Sequence, residues 1–177
     1  MANENQIMIP GDAMRAIRQR LDQEVGRETA TRALQEAGHA AGDYLFQRVE
    51  EMLGTDDPGT VPSNTFWNHL SHVARELGWG ALAHQEIHPG VGALTATDWF
   101  ELEPHAHDSP CPFTTGALSN VLGRVAGQDM AVMQVPCDHH DEQPCARFVF
   151  GAPAVLDELY SGLSQGQGLD TALTELG

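Results

Sequence analysis

Three cysteines are the side chains best suited to chemistry in this 177-residue chain. Cys111 and Cys137 have twenty-five residues between them, and Cys137 and Cys145 have seven. Thiolates are soft ligands, and structural zinc is commonly held tetrahedrally by three of them and one further donor. Pro112 sits where a helix often begins, and the amides of a helix start favour a neighbouring thiolate. If the last two strands form a hairpin, Cys137 and Cys145 face each other across its open end, and the three sulfurs converge at one corner. The alternative is three reduced cysteines packed as small hydrophobes. Spacing by itself leaves both open.

The elements that must position these residues are legible from periodicity. Met14, Ile17, Leu21 and Val25 recur at helical spacing behind Asp12 as a cap. A longer stripe runs Ala30, Ala33, Leu34, Ala37, Ala41, Leu45, Val49 and Met52, stopping at Gly54. Phe66, Leu70, Val73 and Leu77 mark a third helix ending at Gly78. The period then changes to two. Trp79 to Ile87 and Ala93 to Leu102 alternate around the turn Pro89-Gly90-Val91-Gly92, which predicts an antiparallel hairpin with Trp99 on its second strand. A fourth helix follows Pro112 to Gly127, strands are expected over 130–137 and 145–151, and a last helix opens at Pro153. Hairpins without an intervening helix imply an α+β domain, a four-stranded antiparallel sheet covered by helices. One domain over 1–177 is expected, with a core from about 12 to 163 and a loose Gly/Gln-rich tail at 164–177, apart from a final turn at Thr171 to Leu176.

Composition narrows the function. Twenty-five acidic and nine basic side chains give a formal charge of −16, and all nine cations are arginine. Phosphate-rich partners require clustered cations, so nucleic acid and anionic membrane surfaces are poor fits. No run of eighteen apolar residues suggests a membrane span, the first ten residues carry no leader pattern, and the reading is cytoplasmic with reduced thiols. No Gly-x-Gly-x-x-Gly follows a strand, which weighs against a nicotinamide-dependent enzyme and for a binding domain.

The run Cys111-Pro112-Phe113-Thr114-Thr115-Gly116, then Leu122-Gly123-Arg124, then Cys137 and Cys145-Ala146-Arg147-Phe148, resembles the signature of the 4-vinyl-reductase domain family. The resemblance is specific from about Trp99 to Gly151 and weaker back to Ala30. That family includes ligand-sensing domains of aromatic-responsive bacterial transcription activators and a protein linked to bacteriochlorophyll synthesis. Its fold is similar to subunits of a transport-protein tethering complex. In the phenol- and xylene-sensing members a structural zinc is implied at the three cysteines, completed by a glutamate three positions before the middle one. This chain has Gln134 there, and a neutral amide is a poor zinc ligand. Replacement donors lie in Asp138-His139-His140-Asp141-Glu142, with His140 preferred over His139, and His105 and His107 nearby.

The same resemblance implies a pocket for a small hydrophobic or aromatic molecule between sheet and helices, with Trp99 against the ligand and a histidine on its polar atom. His72 is the choice for that histidine, with His69 the other candidate. Trp67 and Phe113 are further walls, alongside Phe66, Trp79 and Phe100. His84 and His88 read as a solvated strand face. Gly38 and Gly42, one turn apart among small residues, predict close helix packing, either within the fold or across a two-fold axis. The resemblance favours a homodimer through the N-terminal helices. The expectation is therefore a non-enzymatic sensor or carrier domain with structural zinc, a small aromatic ligand and a protein output partner. An accessory role in tetrapyrrole biosynthesis and a structural assembly subunit are the alternatives.

Overall fold

The computed structural model describes residues 9–104, 109–137 and 144–176. Helices α1 (Gly11–Val25), α2 (Arg27–Leu53) and α3 (Ser63–Glu76) come first, then strands β1 (Ala81–His88) and β2 (Val91–Thr97). Helix α4 (Pro112–Ala126), strands β3 (Ala131–Val135) and β4 (Cys145–Gly151), and helices α5 (Pro153–Ser164) and α6 (Leu169–Glu175) complete the order. Pro112 and Pro153 each open a helix, where a missing N–H costs nothing, and Gly127 ends α4 in the left-handed conformation. The α+β class expected from the sequence is what forms.

The four strands make one antiparallel sheet in the order β1-β2-β4-β3. Ala81 pairs with Thr97, Thr97 with Cys145, and Val135 with Arg147. Side chains alternate between two faces. Leu82, Leu94, Ala96, Ala146, Phe148 and Phe150 build the main core with Leu45, Val49, Phe66, Leu70, Leu118 and Val121 of α2, α3 and α4. Val91, Ala93, Val135 and Val149 pack on the other face against Leu156, Leu159, Ala172 and Leu173 of α5 and α6. Helices therefore cover both faces. The segment expected to be a loose tail contains α6, because Ala172, Leu173 and Leu176 give the second face of the sheet its cover.

Strand β2 also ends earlier than its alternation suggests. At Asp98 the chain takes φ 52°, and Trp99 lies beyond the strand, with the Phe100 amide donating to the Trp79 carbonyl. The small residues of α2 are used inside the fold. A Cβ on Gly38 would sit 2.7 Å from the Phe113 carbonyl carbon and 3.0 Å from its Cα, and one on Gly42 would sit 2.8 Å from the Ala117 oxygen. Gly116 of α4 faces the Gln35 backbone just as closely. No helix among the described residues is long and apolar enough to cross a membrane.

Gly38→Ala is expected to destabilise the protein by about 1–3 kcal/mol despite its better helix propensity, because backbone and not a flexible side chain occupies the space. Gly168→Ala, in open space, is expected to change stability by less than about 0.5 kcal/mol. Urea midpoints of the two variants check this, and equal midpoints would disprove the close crossing.

Candidate functional site

The loop after β2 and the start of α4 converge on a buried polar chain inside an aromatic cluster. Trp99 is 3% exposed, and its indole N–H donates to Thr114 Oγ1 at 2.6 Å. The Thr114 hydroxyl donates to Glu101 Oε2. The Thr114 amide donates to the same oxygen at 2.8 Å and the Phe113 amide to Glu101 Oε1 at 3.1 Å. Glu101 thus receives the free N–H groups of the first turn of α4, where negative charge is favoured. Burial pushes its carboxyl above the ordinary range, opposed by the Thr114 and Phe113 hydrogen bonds and by the Arg18 charge. Trp79 joins the group edge-on to Trp99 at 6.0 Å and to Phe113 at 5.8 Å, and Phe100 lies 5.9 Å from Trp99.

Helix α1 closes over this loop with arginines. Arg15 Nη1 donates to the carbonyls of Phe100 at 3.0 Å and Leu102 at 3.2 Å. Arg18, the one buried residue of α1, donates to the Pro110 carbonyl at 2.5 Å and pairs with Glu103. Ile17 and Val25 stay about half exposed.

Of the residues expected to hold a ligand, Trp99 and Phe113 meet in this cluster. Trp67 does not. It belongs to a second group, stacked on His84 at 4.1 Å with the rings 8° from parallel and 5.5 Å from Phe150. His84 therefore faces the helices instead of solvent, and burial lowers its pKa, with Glu86 opposing. His72 points outward from α3, 57% exposed beside Glu76. It is not brought to Trp99, because residues 66, 70 and 73 take the inner face of α3. His69 turns back to its own helix, with Nδ1 2.8 Å from the Thr65 carbonyl.

Cys137 and Cys145 do meet at the open end of the last hairpin, but as a disulfide. Cys111 is 1% exposed and donates from its thiol to the Ser109 carbonyl. Burial pushes that thiol far above its ordinary value, Glu101 adds to the shift and Arg18 opposes it. Gln134 joins loop to sheet. Its Oε1 accepts from the Cys111 amide at 2.8 Å and its Nε2 donates to the Ser109 carbonyl at 2.8 Å. Two of the sulfurs are bonded to each other, and the third sits against the Ser109 carbonyl. Among the described residues no three His, Cys, Asp or Glu side chains form a metal-holding group. His140, His139, His105 and His107 lie outside the described residues.

Two cavities are relevant. One of about 460 Å³ lies between His39 of α2 and the turn after α4, lined also by Asn120, Arg124 and Asp129. None of the aromatic candidates lines it. The other, of about 10 Å³, lies under α1 between Met14, Arg15, Arg18, Leu34 and Glu101. Sequence reasoning passed over Glu101, Thr114 and Arg18, and noted Gln134 only as a replaced ligand. Arg18 carried a signal, being four residues after Met14 and three before Leu21 on an otherwise apolar stripe. Nothing local signalled the bonds of Glu101, Thr114 and Gln134, because their partners are twelve or more residues away.

No family model matches this chain, and no curated protein matches it. Among solved structures it is similar to the phenol-responsive sensory domain of the transcription activator PoxR, crystallised with phenol. The TM-score is 0.69 over 95% of this chain and 87% of that one, at 15% identity. The likeness is one of fold.

Gln134→Glu is expected to cost about 1–3 kcal/mol, since a carboxylate accepts from the Cys111 amide but cannot donate to the Ser109 carbonyl. An unchanged urea midpoint would show that the amide does not tie the loop. His84 supplies a pH test. A depressed folded-state pKa contributes stability that is complete above the unfolded value of about 6.5 and is lost as pH falls below it. Unfolding free energies between about pH 8 and pH 5 are expected to fall more steeply for the wild type than for His84→Gln. Parallel curves would remove His84 as the cause.

Proposed function

We propose that this chain is a small-molecule-binding sensory domain of the 4-vinyl-reductase type, whose ligand is a small hydrophobic or aromatic molecule held at the Trp99 cluster. The observation that carries this reading is the convergence of Trp79, Trp99, Phe100 and Phe113 around one buried polar chain, in a fold shared with a phenol-responsive domain. Aromatic walls with a few placed polar groups are what a site for such a molecule requires. The ligand takes its place by displacing side chains that now pack against one another, with α1 giving way because hydrogen bonds to carbonyls hold it more than apolar burial does. Pairing of two copies through the N-terminal helices belongs to the same reading, supported by the exposure of Ile17 and Val25. A structural assembly role is the second reading, favoured by the tight packing of Trp99, Leu102 and Leu118.

Titration of the purified chain with phenol, followed by tryptophan fluorescence and calorimetry, is expected to give saturable binding with one ligand per chain. Trp99→Phe is expected to weaken it about tenfold or more, by removing the indole and its bond to Thr114. Absence of saturable binding by phenol and by toluene would overturn the ligand reading and leave the assembly role. Sedimentation at micromolar concentration tests pairing, and a species of 19.2 kDa alone would contradict it.

A further inference from the structure

We propose that Glu101 sets the chemical selectivity of this site, admitting neutral aromatic molecules that donate a hydrogen bond and excluding aromatic carboxylates. The inference rests on the Trp99 cluster being the ligand site. A carboxylate offers about four lone-pair positions on its two oxygens. Among the described residues, Glu101 Oε2 takes the Thr114 amide and hydroxyl, and Oε1 takes only the Phe113 amide. One acceptor position on Oε1 is left, and it can be filled by a hydroxyl or amine hydrogen.

The donor groups beside it have protein partners. The Trp99 indole N–H is bound to Thr114. Arg15 donates to the Phe100 and Leu102 carbonyls, and Arg18 to the Pro110 carbonyl and Glu103. The two guanidinium groups that line the cleft are bonded to protein carbonyls and carboxylates. Glu101 is 5% exposed, so a second carboxylate beside it would meet a like charge with little solvent to screen it. The small cleft under α1 is lined in part by Glu101 and has room for about one water. The polar atom of the ligand is read by a carboxylate at the start of α4, in place of the histidine expected on α3.

Calorimetry of the full-length wild type with phenol, toluene and benzoate decides this. Phenol is expected to bind about tenfold or more tightly than toluene, and benzoate at least about thirtyfold more weakly than phenol. In Glu101→Gln, checked for folding by circular dichroism, the ratio of phenol to benzoate affinity is expected to collapse toward one, which a merely structural role for Glu101 would not bring about. Glu101→Gln turns an amide N–H₂ toward one of the α4 amides and can fail to fold, so the wild-type series stands as the primary test. Equal affinity for phenol and benzoate, or for phenol and toluene, would overturn the role of Glu101 while keeping the ligand site. Failure of all three to bind would overturn both.

Discussion

Helix α4 lies so close to α2 that three positions along the contact have no room for a side chain. Gly38 and Gly42 on α2 and Gly116 on α4 let one backbone rest on the other. This crossing sets the height of α4 above the sheet and therefore where its first turn ends. The first turn presents the Phe113 and Thr114 amides, and those amides hold Glu101. Thr114 in turn orients Trp99. A shift of a few tenths of an ångström at the glycines would be passed to every polar contact of the candidate site, since close-packed interiors transmit strain instead of absorbing it.

The interior of this strongly acidic protein is organised around one carboxylate. Burial of Glu101 is unfavourable, and the helix start, the Thr114 hydroxyl and the Arg18 charge offset that cost. The same bonds attach three separate stretches of chain: α1 through its arginines, the loop after β2, and α4. The aromatic rings then fill the space between them. A site built this way has a polar floor that is preorganised and walls of rings held by dispersion, and these are the ingredients for recognising a small molecule with a single polar atom.

The corner where the cysteines lie joins loop to hairpin through side chains. Loop and hairpin must be joined there. Gln134 joins them by donating to one carbonyl and accepting from the next amide but one, and a disulfide closes the hairpin end. An amide is suited to that bridge because it has both a donor and an acceptor. The glutamate implied at this position by the family resemblance has acceptors only, which suit a cation.

The helices, both hairpins, the prolines that open α4 and α5, and the meeting of Cys137 with Cys145 were all legible in the sequence. Each of these follows from interactions between near neighbours: periodicity, turn chemistry and the reach of a short loop. The placement of β4 beside β2, the cover given by α6, the role of Gly38 and Gly42 within the fold, and the partners of Glu101 and Gln134 were not. The outward turn of His72 and the inward turn of His84 were likewise decided elsewhere. These depend on which surfaces remain to be buried once the helices and strands assemble. A local pattern of residues records what a segment can bury, and only the packed molecule decides against what.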